Sequence, residues 1–306
     1  MSVVVVAKLA GEEEAGKLIA DDYKVLLGSG LEALAGEADA VSAIQKYCPD
    51  GVVGIKTNCI ARKLNSTPVA LADALTRLLI DSGIEENNVI VWERTSRELE
   101  SAGYELNASS FGRRCFGTDV DQAGYGRAFY CSGEVSSLVS RILTDMVTYN
   151  INLPVLKDHS IAGLSGGLKN MYGVINNPNK YHANNCDPYA AHVSNLEPVR
   201  RKNKLTIIDA VQVQYNGGPG YVSRYLDFFN GLIISDDPVA ADSIGLEVVE
   251  ELRKRHSMPP LAVAGRPARY LETAEQLGLG VADRSKIDLR VLAVSRDGRA
   301  STGSLF

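Results

Sequence analysis

The chain has 306 residues, 45% hydrophobic and 23% charged, with a formal net charge of −5. That composition describes a globular chain and excludes a low-complexity or disordered one. The acidic balance argues against nucleic acid as a main partner, which needs clustered Lys and Arg, and no window approaches the ~18 apolar residues of a membrane span.

In chain order, residues 3–7 (Val-Val-Val-Val-Ala) read as a first strand. The run is too short for a signal h-region and has no basic flank, so a cytoplasmic location is expected. Residues 12–47 read as two helices broken near Gly28-Ser29-Gly30. Residues 51–57 are a buried-strand pattern ending in the polar turn Asn58-Cys59. Pro68 then opens a helix, with Thr67 as the expected N-cap and Gly83 as its end. Residues 89–92 are the next strand, and residues 98–103 a short helix. This strand–helix–strand alternation predicts a largely parallel sheet. From 107 to 137 the pattern weakens, which suggests irregular structure or an antiparallel excursion.

Order returns at residues 146–156. A segment dense in chemistry follows: Lys157-Asp158-His159, then Gly163-Leu164-Ser165-Gly166-Gly167-Leu168-Lys169-Asn170. A strand running into a Gly-rich turn and a helix lets backbone N–H groups face a ligand, with Lys169 one turn into the helix. Residues 204–210 form another buried strand ending in Asp209, and Gly217-Gly218-Pro219-Gly220 is a tight loop. Residues 231–235 are a strand ending in Asp236-Asp237-Pro238. Residues 240–255 are a helix that Asp237 should cap, and a last helix (268–277) and strand (289–294) follow. In open parallel sheets, ligands bind beyond the carboxyl ends of the strands. Asn58-Cys59, His159, Asp209 and Asp236-Asp237 are all expected on that one edge. No Walker or Gly-x-Gly-x-x-Gly fingerprint supports a nucleotide cofactor.

The five cysteines (Cys48, Cys59, Cys115, Cys131 and Cys186) are odd in number and include no CxxC, so a disulfide framework is not expected. Cys59 and Cys186 lie in polar, turn-rich segments. His159 has ammonium neighbours that would hold it neutral, suited to base work or metal binding. Lys169 suits an anionic ligand or a covalent adduct. His182 precedes Cys186 by four residues, a helical ligand spacing, in a segment poor in helix signals.

Several of these motifs together resemble the family called domain of unknown function 362. They are Lys56-Thr57-Asn58, Lys157-Asp158-His159, the run from Gly163 to Asn170, Asp209 with the loop 217–220, and the Asp-Pro-Val-Ala-x-Asp element from Asp237 to Asp242. The resemblance covers about residues 51–250 of a single unit spanning 1–306, with a C-terminal helix and strand over 260–306. It implies an α/β fold of two Rossmann-like lobes with largely parallel sheets and a cleft at the strand carboxyl ends.

The family is often found in iron–sulfur proteins. The first reading is therefore a [4Fe-4S] redox protein that transfers electrons or reduces a small anionic substrate, with a ferredoxin-type partner. Two cysteines per chain are too few for such a cluster. Cys59 and Cys186 from each protomer of a homodimer would supply four. Cys115 and Cys131 are the alternative completing pair within one chain.

The segment from His159 to Lys169 is also similar to part of the nickel-dependent lactate racemases, which use a matching His and Lys beside a nickel group joined to the Lys. That implies an alternative: a non-redox racemase or isomerase acting on a small carboxylate through His159 and Lys169, with nickel. A non-catalytic metal-binding scaffold is the third reading. The expected site residues are His159, Lys169 and Lys56 for catalysis. Asn58, Ser165, Gly166, Gly167 and Asn170 are expected to bind a cofactor, and Cys59 and Cys186 a metal.

Overall fold

A computed structural model describes residues 1–11 and 18–306 of the protein. Strand β1 (Ser2–Leu9) is followed by α1 (Ala20–Ala35), α2 (Ala40–Gln45), β2 (Val53–Thr57), α3 (Val69–Asp81), β3 (Val89–Glu93), α4 (Ser96–Ala102) and β4 (Arg114–Gly117). A hairpin of β5 (Tyr125–Ser132) and β6 (Val135–Ser140) precedes β7 (Tyr149–Leu153), β8 (Val155–His159), β9 (Gly163–Ser165), α5 (Gly167–Asn170), α6 (Tyr189–Ser194) and α7 (Glu197–Lys202). The chain closes with β10 (Asn203–Gln214), β11 (Leu226–Ser235), α8 (Pro238–Arg255), α9 (Tyr270–Gln276), β12 (Ile287–Val294) and β13 (Ala300–Thr302).

Eleven of the described strands join one sheet in the order β13-β12-β1-β11-β10-β7-β2-β3-β4, with β8 and β9 continuing beside β10. The pairs β2–β3, β2–β7, β3–β4, β7–β10, β8–β10 and β1–β12 are parallel. β11 runs antiparallel to β1 and β10. The protein is thus mixed α/β with a largely parallel central sheet. Eleven of its described strands share one continuous sheet and the β5–β6 hairpin stands apart from it, so the expected α/β class holds while a division into two Rossmann-like lobes is not distinguished. No helix among the described residues is long and apolar enough to cross a membrane.

Period-two alternation splits the strand side chains between two cores. Val53, Ile55, Val89 and Val91 pack beneath α1 and α3 with Leu26 and Leu71. Ile90 and Trp92 face the opposite core, which holds Leu168, Val193 and Tyr270. Each such buried side chain contributes on the order of 1.5–3 kcal/mol, so helices on both faces hold the sheet.

Four local expectations change. Residues 12–17 of the first expected helix lie outside the described residues. Beyond them, α1 runs unbroken through Gly28-Ser29-Gly30, because Gly30 lets the helix press on the sheet: a Cβ there would collide with Ile234. Thr67 does not cap α3 with its side chain; its hydroxyl accepts the Asn58 N–H at 2.8 Å and donates to the Leu153 carbonyl at 2.7 Å. Asp209 does not end a strand, since β10 continues to Gln214 past an irregularity at Ala210–Gln212. Asp236-Asp237 follows the antiparallel strand β11, so it lies at the sheet edge opposite the carboxyl ends of β2, β3 and β8. There Asp237 caps α8, accepting the N–H groups of Val239 and Ala240 at 2.9 Å each. The weak region at 107–137 supplies β4, a further parallel strand, and the antiparallel β5–β6 hairpin.

Candidate active site

β8 ends at His159, and the chain doubles back as β9, pairing Lys157 with Ser165 and His159 with Gly163, before α5 begins. The amides at the start of α5 do not face a ligand. Gly167 N–H donates to Asp242 Oδ1 at 2.5 Å and Leu168 N–H to Asp242 Oδ2 at 2.9 Å. Gly166 is glycine because Asp242 occupies the space a Cβ would take. Gly166 and Gly167 therefore seat Asp242, and neither lines the cleft. Burial pushes the Asp242 carboxyl up to about 7, although both amides favour its charged form.

This anchoring presents Lys169 to a cleft of about 170 Å³ lined by Asn58, Glu93, Arg94, His159, Ser165, Lys169, Asn170, Tyr172 and His182 among others. Lys169 Nζ lies 3.0 Å from His182 Nε2 and 3.5 Å above the Tyr172 ring. Burial pushes the Lys169 ammonium down to about 8. His182 Nδ1 is 3.0 Å from the Pro178 carbonyl, so that nitrogen carries the ring proton and Nε2 accepts from Lys169. The His182 ring stacks on His159 with centroids 5.9 Å apart and meets Tyr172 edge-on at 5.2 Å.

His159 is set the other way. Its Nδ1 accepts the N–H groups of Ile161 at 3.1 Å and Ala162 at 3.2 Å. A nitrogen facing two amide donors has no room for a proton, so the neutral ring carries its proton on Nε2. Burial first, then the Lys169 ammonium, pushes His159 down to about 3. His159 is therefore a neutral hydrogen-bond donor, where a base or metal ligand was expected.

A buried polar layer fixes the floor. Lys56 is fully buried and pairs with Glu93 Oε1 at 2.5 Å, so it balances charge behind the cleft and does not line it. Asn58 donates to Asn170 Oδ1 at 3.1 Å, and Asn170 donates to Asn152 Oδ1 at 2.8 Å. Lys157 Nζ donates to Asn58 Oδ1 at 2.8 Å and to the Asn65 carbonyl at 3.2 Å, and burial pushes it down to about 8.

The two expected metal ligands are not brought together. Cys59 is buried at 1% exposure in the core beneath α1 and α3, and Cys186 at 0% in the core across the sheet. Burial raises both thiols, which disfavours thiolates. A cluster shared across a dimer axis needs sulfurs at a surface that two protomers reach, and this placement does not fit one. Cys115 is buried and Cys131 exposed, so they do not complete a set. Among the described residues, no three His, Cys, Asp or Glu side chains gather to hold a metal ion.

Sequence reasoning missed Glu93, Arg94 and Tyr172 as lining residues and left His182 outside the site. The rule that ligands sit past strand ends pointed to Glu93-Arg94 at the end of β3. His182 follows a 3-10 turn at Pro178–Tyr181 and reaches the cleft through tertiary packing alone.

A family model described as domain of unknown function (DUF362) matches residues 53–247. No curated protein matches the chain. Among solved structures, a Thermotoga maritima protein from a structural genomics programme is similar at 12% identity with a TM-score of 0.40, over 80% of this chain and 60% of its own. The lactate racemase apoprotein from Thermoanaerobacterium thermosaccharolyticum is similar at 15% identity with a TM-score of 0.45, over 81% of this chain and 57% of its own. The chain therefore spans under two-thirds of the length of either structure.

Proposed function

The chain belongs to the DUF362 family, and on that premise we propose that its cleft is the active site of an acid–base enzyme acting on a small carboxylate. The observation that carries this reading is the Lys169–His182 contact at 3.0 Å, in a buried cleft that also holds a neutral His159. An amine with a pKa of about 8 lies close to physiological pH, where a general base works best.

The roles follow from the tautomers. The neutral Lys169 amine takes a proton from the carbon beside the substrate carboxylate and becomes an ammonium, which His182 Nε2 stabilises by accepting its hydrogen bond. The electron pair left on the substrate moves onto an oxygen, which accepts the His159 Nε2–H. Return of the proton from Lys169 to the opposite face of the same carbon, after the planar enediolate turns over in the cleft, completes a racemase-like cycle with no net redox change. Arg94, in the cleft lining, attracts the anionic substrate.

A bare metal ion does not fit, for want of three side-chain ligands. Lys169 and His182 are the residues that would hold a nickel group joined to the lysine, which would supply hydride acceptance from a hydroxy acid. No thiol lines the cleft, so nothing there favours an iron–sulfur role.

The test is solvent exchange. Small 2-hydroxy carboxylates are incubated with the protein in D2O and the proton on the carbon beside the carboxylate is followed by NMR. Wild type should exchange at least one of them, and Lys169→Met should not. Absence of exchange by wild type across the set, with intact mass showing no adduct on Lys169, would overturn the reading.

A further inference from the structure

Three lysines are buried in or behind the cleft, and their partners set them apart. Lys56 Nζ meets Glu93 Oε1 at 2.5 Å and the Thr57 carbonyl at 2.7 Å. Lys157 Nζ meets Asn58 Oδ1 at 2.8 Å and the Asn65 carbonyl at 3.2 Å. Both are held by oxygens, the acceptors an ammonium seeks. Lys169 is held differently, although it is only 8% exposed. Its Nζ partners among the described residues are His182 Nε2 at 3.0 Å and the face of the Tyr172 ring, 3.5 Å from the centroid.

Those two contacts orient the amine. A neutral amine has two N–H bonds and one lone pair. His182 Nε2 accepts one N–H, since Nδ1 of that ring is engaged with the Pro178 carbonyl. The Tyr172 π-face takes the other. The lone pair is the position left for a ligand in the cleft that Lys169 lines. Such a lone pair can attack carbon as well as take a proton. Attack needs an electrophilic carbon whose oxygen is polarised, and the Nε2–H of His159, stacked on His182, supplies that polarisation. Arg94 lines the same cleft and suits a carboxylate. A 2-oxo acid uses all three groups: its carbonyl carbon meets the amine, its carbonyl oxygen His159, and its carboxylate Arg94.

We infer that Lys169 forms an imine with small 2-oxo acids bound in this cleft. The inference rests on the neutral Lys169 amine of the proposed active site and not on its proton abstraction. The nitrogen lone pair attacks C2, and the C=O π pair moves onto the oxygen beside His159. The nitrogen passes one proton to His182 Nε2, which delivers it to that oxygen. The second N–H proton follows the same route. The C–O bond then breaks, water leaves, and the nitrogen pair closes the C=N bond. Burial, which pushes the amine down to about 8, keeps a share of it neutral at physiological pH.

The test is reductive trapping. The full chain is incubated with pyruvate and cyanoborohydride at neutral pH, and the modified peptides are mapped by mass. Lys169 should gain a reduced adduct about tenfold faster or more than exposed lysines, whose amines are almost wholly protonated. Lactate, which has no carbonyl, should give none, and acetone, which has no carboxylate, should react far more slowly. Lys169→Met, read by intact mass, should lose the fast phase. Arg94→Gln should slow trapping of pyruvate and leave that of acetone unchanged. No adduct at Lys169, or one no faster than at exposed lysines, overturns the inference. So does acetone trapping as fast as pyruvate, which removes the 2-oxo acid as the ligand. Exchange of the lactate C2 proton in D2O with no Lys169 adduct would keep the base role and sink the imine; an adduct without that exchange would do the reverse.

Discussion

Asp242, on α8, accepts the Gly167 amide at 2.5 Å and so occupies the position where an anionic ligand was expected at the start of α5. The glycines of this turn make room for a carboxylate that the protein itself supplies, and Lys169 is aimed from the helix so fixed. Removing that carboxylate orphans two buried amides. Asp242→Ala should lower stability by about 2–4 kcal/mol, given two hydrogen bonds to a charged group. Gly166→Ala, which pushes a methyl against the same carboxylate, should also destabilise. Urea unfolding midpoints measure both.

His159 makes stability depend on pH in a definite direction. Its folded pKa is down to about 3, against an ordinary value of 6.5. Between those values the unfolded chain binds a proton that the folded chain refuses. The unfolded state therefore gains as pH falls, and stability is lost from pH 6.5 downward. From pH 6.5 to 5 this group alone should remove about 1.6 kcal/mol, the slope rising toward about 1.4 kcal/mol per pH unit as pH falls below the unfolded value. His159→Gln should lack that loss. Asp209, raised to about 7, acts in the opposite sense, costing stability as pH rises from about 4 to 7. Only the wild-type-minus-variant difference across pH isolates the histidine.

The strands were readable because β-branched runs such as Val3 to Ala7 and Val89 to Val91 have few alternatives to a buried sheet. That His159, Ser165, Asn58, Lys169 and Asn170 would line one cleft was readable because they lie at the ends of β8, β9 and β2 or on the short helix that follows. Two kinds of information were not local. Asp242 lies 75 residues from the amide it caps, and nothing near Gly167 announces it. Cys59 follows a polar turn that suggests exposure, yet its sulfur turns inward to within 3.4 Å of the Thr57 hydroxyl, in the core beneath α3. Turn composition reports where the backbone goes, not which way one side chain points.

Lys169 should titrate as an unusual amine. Burial holds it near 8, so the neutral, reactive form appears well below the range of exposed lysines. Labelling with acetic anhydride across pH, read by peptide mass, should show Lys169 modified with a midpoint near pH 8. His182→Ala removes the acceptor of its hydrogen bond and should shift that midpoint lower. A Lys169 midpoint near 10 would remove the basis for its role as a base.

The Lys56–Glu93 pair is fully dry on the lysine side, with side-chain exposures of 0% and 7%. Breaking such a pair leaves an uncompensated buried charge. Glu93→Gln should cost about 3–5 kcal/mol, whereas Lys56→Met combined with Glu93→Gln should recover much of that loss. The double-mutant comparison by urea unfolding separates charge balance from packing. A single variant as stable as wild type would mean the lysine has another neutralising partner.

The placement of the thiols makes a chemical prediction that needs no knowledge of substrate. Of the five cysteines, only Cys131 is exposed; Cys48, Cys59, Cys115 and Cys186 are buried. Burial raises Cys48 to about 12 and Cys115 to about 11, and moves Cys59 and Cys186 in the same direction. A buried thiol held in its protonated form is a poor nucleophile and a poor metal ligand. Native protein treated with iodoacetamide at pH 8 should therefore take up one label, at Cys131, and unfolded protein five. Rapid native labelling of Cys59 or Cys186 would show those sulfurs reaching solvent as thiolates. That outcome alone would restore the surface on which two protomers share a cluster.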